Sequence, residues 1–194
     1  MEHQKRIESI LSESAEVKSR ILKDQALLER IHNAVEKVIH LYKNDGKLLL
    51  CGNGGSAGDA QHIAAEFTGR FYYDRPPLNA EALHVNSSYL TAVGNDYGYD
   101  EIYARMVKAQ GKENDILIGI STSGNSPNVL KAINAAKELG MITIGMTGES
   151  GGKMSGLVDV LINVPSNDTP RIQESHITIG HIICELVESS IFPK

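Results

Sequence analysis

His62 and Glu66 stand four residues apart, just after a glycine-rich stretch, Gly52-Asn53-Gly54-Gly55-Ser56-Ala57-Gly58. On a helix that spacing puts both side chains on one face. An imidazole and a carboxylate so placed can share a metal ion, as the two histidines of an H-E-x-x-H helix do, or divide acid and base work. A plainer account also fits. Glu66 would pair with Arg70 one turn further on, and His62 would be a half-buried structural histidine. The segment RIQESHITIGHIICELVE, residues 171–188, adds Gln173, His176 and His181. His181 lies among Ile179, Ile182 and Ile183, where a histidine is ordinarily a packing residue. On a straight helix Gln173 and His181 are separated by about 12 Å and about 80° of rotation. Aiming both at one atom needs either a helix tilted across the site or a ligand from a neighbouring subunit.

Two loops have the composition of anion sites. Ser121-Thr122-Ser123-Gly124-Asn125-Ser126 offers hydroxyls at Ser121, Thr122, Ser123 and Ser126. With the free N–H groups of a following helix start and its dipole, these suit a phosphate. No lysine follows, so this is not the nucleotide-triphosphate pattern G-x-x-x-x-G-K-[ST], and a monophosphate on a small molecule fits better. The competing explanation is an ordinary N-cap turn. The loop at 52–58 is not G-x-G-x-x-G, and no acidic residue follows a second strand at the spacing a dinucleotide needs.

The elements that must position these residues follow from periodicity. Apolar residues at spacings of three and four predict helix over residues 4–43, closed by Asn44-Asp45-Gly46. That segment packs either on its own domain or on another subunit. Leu48-Leu49-Leu50-Cys51 reads as a buried parallel strand, followed by the glycine loop and a helix from about Asp59 to Thr68. The order repeats: a strand from Asp115, the serine loop, then a helix from Pro127 to Leu139 with Gly140 as its stop. Strands from Met141 and Asp159 and a last helix from about Pro170 to Ser189 complete the pattern. Strand–helix alternation predicts an α/β fold, a doubly wound parallel sheet with helices on both faces, in one domain over 1–194. Ligands of such sheets bind beyond the carboxyl ends of the strands, where both loops fall.

Composition narrows the partners. The net charge of −5 argues against nucleic acid or an anionic membrane, while backbone N–H groups can still hold a small phosphate. No apolar run approaches a membrane span, and the N-terminal residues have no signal-peptide core. Cys51 and Cys184 make neither a disulfide framework nor a metal cluster. A cytoplasmic protein is expected.

CGNGGSAGDAQHIAAEF, AVGNDYG, GISTSGNSPNV and TPRIQESHITIGH, in that order, resemble the phosphoheptose isomerases. These are sugar-isomerase (SIS) domain enzymes of bacterial heptose biosynthesis, and the resemblance spans nearly the whole chain. It implies interconversion of sedoheptulose 7-phosphate and D-glycero-D-manno-heptose 7-phosphate, the first step toward the heptose of lipopolysaccharide or capsule. It implies a homotetramer with sites at subunit boundaries and one zinc per subunit. On this resemblance Asn53, Gly54, Gly55 and Ser56 contact substrate. Asn95 and Asp96 form a further substrate pair, although NDYG also reads as a plain turn. Ser121, Thr122, Ser123 and Ser126 cradle the phosphate. His62, Glu66, Gln173 and His181 are the zinc set, with Glu66 as base at carbon, His181 as acid at oxygen and Gln173 also touching substrate. His176 has no role. Two other readings stay open: a non-catalytic SIS binding protein, such as the kind that assists a replication initiator, and an isomerase of another ketose phosphate.

Overall fold

A computed structural model describes residues 2–194. Five parallel strands form one sheet in the order β2-β1-β3-β4-β5: β1 (Leu48–Gly52), β2 (Ala80–Ala82), β3 (Ile116–Ile120), β4 (Ile142–Thr147) and β5 (Val160–Asn163). The helices are α1 (Glu2–Lys23), α2 (Gln25–Lys43), α3 (Gly55–Thr68), α4 (Ser87–Tyr97), α5 (Ile102–Gln110), α6 (Pro127–Glu138) and α7 (Thr169–Ile191).

Both faces of the sheet are covered, which is why β1 and β3 are apolar without interruption. Successive side chains still alternate between faces. Leu48 and Leu50 join a core with residues of α2, α3 and α7. Leu49 and Cys51 join a second core with residues of α5 and α6. Burial lifts the Cys51 thiol to about 12, and both cysteines are free.

The differences from the sequence reading have local causes. The helix expected over 4–43 is two helices, broken at Asp24, whose carboxylate accepts from Leu27 N at 3.0 Å and caps α2. Helix α3 begins at Gly55, four residues before the expected start, because Gly55 to Gly58 form its first turn rather than a loop. A fifth strand, β2, and helices α4 and α5 lie in a stretch where the sequence pattern predicts no element. β2 has three residues, one of them Glu81, too few to show a pattern, and it is defined by its pairing of Leu48 with Ala80. Asn95 and Asp96 lie in the last turn of α4, not in a turn between elements.

On α1, Ile7, Leu11 and Leu22 are largely exposed, so this helix carries an apolar stripe that its own domain leaves open. Among the described residues no helix is long and apolar enough to cross a membrane.

His176 is wholly buried on α7, with Nε2 3.0 Å from Thr147 O and Nδ1 without a partner. Burial lowers it from 6.5 to about 4, opposed by the bond to Thr147. Between those values the unfolded chain binds the proton that the folded chain refuses, so stability falls as pH drops from about 6.5 to about 4. At about 1.4 kcal/mol per unit the full effect is about 3 kcal/mol. The expected outcome is a midpoint of urea unfolding that falls across this window, with a shallower dependence in His176→Asn.

Candidate active site and metal centre

Helices α3 and α7 bring the two halves of the expected site together. Gly180 lets them touch: a Cβ there would lie 2.6 Å from Ile63 Cδ1. At this crossing His62, Glu66 and His181 converge, with one ligand atom from each within 4.8 Å of the others. His62 Nε2 lies 3.1 Å from Glu66 Oε1 and 3.4 Å from His181 Nε2, and the two imidazoles meet edge to face at 4.9 Å. The Glu66–Arg70 pair is not formed; Arg70 turns to the Tyr72 carbonyl. His181 faces the cluster half-exposed rather than packing among its isoleucine neighbours.

The donor set fits a divalent cation. A tetrahedral zinc with bonds of about 2.0–2.1 Å to nitrogen or oxygen holds its ligands about 3.3 Å apart, near the 3.1 and 3.4 Å that separate His62 from Glu66 and from His181. Three ligands from one chain leave a tetrahedral ion one further position. One turn before His62, Asp59 is raised to about 6 by burial, which the neighbouring His62 partly offsets, and its Oδ2 has no partner.

Gln173 does not join the cluster. It packs against Gly55 at the start of α3, about 12 Å along α7 from His181 at the standard helical rise. Helices α3 and α7 touch both here and at the Ile63–Gly180 contact, and within this chain Gln173 lies at the start of α3 rather than at the cluster.

The serine loop is folded tightly. Ser121 Oγ lies 2.9 Å from Ser126 Oγ and 3.5 Å from Ser123 Oγ. Ser126 is the N-cap of α6, but its hydroxyl caps no backbone N–H, so the ordinary cap explanation does not account for it. Gly124 has φ of +66°, and a Cβ there would strike the Gly151 backbone, so only glycine fits. Thr122, Ser123, Asn125 and Gly148 line a cavity of about 260 Å³ with Asn167 and Thr169 from the start of α7.

The two loops are joined by a residue that the sequence did not single out. Asn128 is 1% exposed and forms a reciprocal amide pair with Asn53, at 2.8 and 2.9 Å. Its Oδ1 also accepts from Val129 N at 2.9 Å. Tyr99 reaches Asn53 Oδ1 at 3.3 Å, and Tyr103 donates to the Gly52 carbonyl. Asn95 and Asp96 are exposed and bonded to each other at 2.8 Å, a few residues before Tyr99. Ser56 is buried under the first loop, while Gly54 and Gly55 are exposed. Asn128 stands in the quoted motif but reads there only as helix opening, and nothing in one dimension shows that its partner is Asn53.

The SIS domain profile matches residues 11–148. A phosphoheptose isomerase of Aneurinibacillus thermoaerophilus is 56% identical over 96% of this chain and 94% of its own. The chain belongs to the phosphoheptose isomerase family of SIS-domain proteins. Solved family structures superpose closely. That from Neisseria gonorrhoeae has 46% identity and a TM-score of 0.90, covering 96% of this chain and 98% of that one. That from Francisella tularensis has 38% identity and a TM-score of 0.93, covering 97% and 100%.

Asn128→Ala takes the acceptor from Asn53 Nδ2 and from the buried Val129 N–H, and an unpaired buried polar group costs about 1–3 kcal/mol. The variant is expected to unfold at lower urea concentration and to lose at least tenfold in kcat/KM for a sugar phosphate substrate. Equilibrium unfolding and steady-state kinetics check both.

Proposed function

We propose that this chain interconverts sedoheptulose 7-phosphate and D-glycero-D-manno-heptose 7-phosphate through an enediol, as a zinc-dependent homotetramer in the cytoplasm. The observation that carries the reading is the convergence of His62, Glu66 and His181 in a chain that shares more than half its residues with phosphoheptose isomerases.

Ketose-to-aldose isomerisation removes a proton from C1, shifts the double bond to form the enediol, and returns a proton to C2. Between these steps a proton must reach O2 and another must leave O1. Glu66 takes and returns the proton at carbon. His181 serves the oxygens. A positioned acid or base contributes about 10²–10⁴ in rate. His62, Glu66 and His181 are the residues that would hold a divalent ion, and the chemistry it supplies when bound is polarisation of the substrate carbonyl. Ser121, Thr122, Ser123 and Ser126 grip the phosphate away from the reacting carbons, so that binding there fixes orientation. Asn53, Gly54, Gly55, Ser56, Asn95 and Asp96 contact the sugar between.

Distance favours a site shared between subunits. Thr169, beside the serine loop, is about 18 Å along α7 from His181 at the standard rise. An extended seven-carbon phosphate spans roughly 10 Å at ordinary bond lengths. One chain's loop and another chain's cluster remove the mismatch and allow a second copy to bring Gln173 to the metal. The open apolar stripe on α1 is the surface for that packing.

The test is a proton NMR assay of the zinc-loaded protein with sedoheptulose 7-phosphate, with a chelator-treated sample beside it. An aldoheptose anomeric signal that disappears with chelation is expected. Glu66→Gln should lower kcat by about 10²–10⁴. A folded tetramer that turns over no substrate would sink the isomerase and leave a binding protein. A monomeric mass by light scattering would sink the shared site.

A further inference from the structure

Behind the His62–Glu66–His181 cluster lies a buried ion pair that the chemistry above does not use. The Arg75 and Glu188 side chains are 2% and 1% exposed, with Nε donating to Oε1 at 3.0 Å. The rest of the guanidinium closes the end of α3. Nη2 donates to the carbonyl of Glu66 at 2.8 Å, and Nη1 donates to those of Phe67 at 2.7 Å and Gly69 at 3.2 Å. On the other side, Glu188 accepts from Phe71 N at 2.8 Å and Tyr72 N at 2.7 Å. The segment after α3 is thereby pinned to α7.

Phe71, held in this way, lays its ring against His181, with centroids 5.6 Å apart and planes 45° apart. His181 and Glu188 are two turns apart on α7 and so share a face. The pair therefore reaches two members of the cluster by separate routes: Arg75 bonds the backbone of Glu66, and Glu188 holds the backbone of Phe71, whose ring borders His181. A buried ion pair is a poor source of net stability, because apolar residues of similar volume often do as well. What the charges add is direction, through bonds that tolerate little displacement at either end.

We propose that Arg75, Glu188 and Phe71 are positioning residues that set the separation of Glu66 and His181, and with it both the metal affinity and the turnover of the site. The kinetic part rests on the isomerase reading; the metal part does not.

The test compares wild type with Arg75→Met/Glu188→Leu, which removes both charges together, and with Phe71→Leu, which leaves the pair in place. Metal-free protein is titrated with Co²⁺ and followed by its d–d absorption. The imidazole signals of His181 are recorded by NMR in the same metal-free samples, and kcat and KM are measured separately. The double variant is expected to unfold cooperatively, to lose about 10–100-fold in Co²⁺ affinity, as loss of supporting groups around metal ligands does, and to lose at least tenfold in kcat with KM within threefold. Phe71→Leu is expected to shift the His181 imidazole signals and weaken Co²⁺ binding. A folded double variant with wild-type affinity and kcat overturns the proposal. Should the double variant not fold, Phe71→Leu with unchanged His181 signals and unchanged affinity overturns it instead. Wild type that turns over no substrate, with the affinity losses as expected, defeats the isomerase reading and leaves the positioning role standing.

Discussion

The close contact between α3 and α7 is the constraint on which the site depends. At Gly180 the helices approach until a single methyl would collide with Ile63. Only at that distance can short side chains from both helices meet, and imidazole and carboxylate groups have little reach to spare. The contact continues to the start of α3, where Gln173 occupies the space beside Gly55. Two helices separated by 100 residues of chain thus act as one wall, with the cluster partway along it and the serine loop at its beginning.

The polar groups in the interior serve geometry more than energy. Asn128 ties the first loop to the helix that follows the second. Arg75 and Glu188 tie the end of α3 to α7. A neutral bond returns only about 0.5–1.5 kcal/mol net and one to a charged group about 1.5–3 kcal/mol, while a broken partner leaves an unpaired buried group at a cost of its own. Such links are therefore exacting about position while adding little to stability. They sit where the two anion-type loops and the cluster need fixed relations to one another.

A chain of net charge −5 that accepts an anionic sugar must do so locally. Hydroxyls, backbone N–H groups and a helix start can supply that local field without a basic surface. The same economy would hold at the cluster, where the proposed divalent ion would bring positive charge that the side chains lack. The exposed apolar residues of α1 lie apart from both loops and the cluster, and form the open stripe on which the proposed assembly rests.

Strands β1 and β3, their loops and the helices after them were legible in one dimension, because strand burial on both faces and glycine or serine punctuation leave short-range marks. So was the pairing of His62 with Glu66, which the helical period alone puts on one face. Strand β2 was not legible, because three residues hold no period and their identity as a strand lies in the pairing with β1. Nor were Asn128 and Arg75, whose partners are far away in sequence. The sequence by itself determined the layered parallel fold, the two loops and the types of side chain available for chemistry. Only the tertiary structure decided that His181 faces His62 while Gln173 does not, because helical spacing fixes a residue's face but the packing of one helix on another fixes what that face meets.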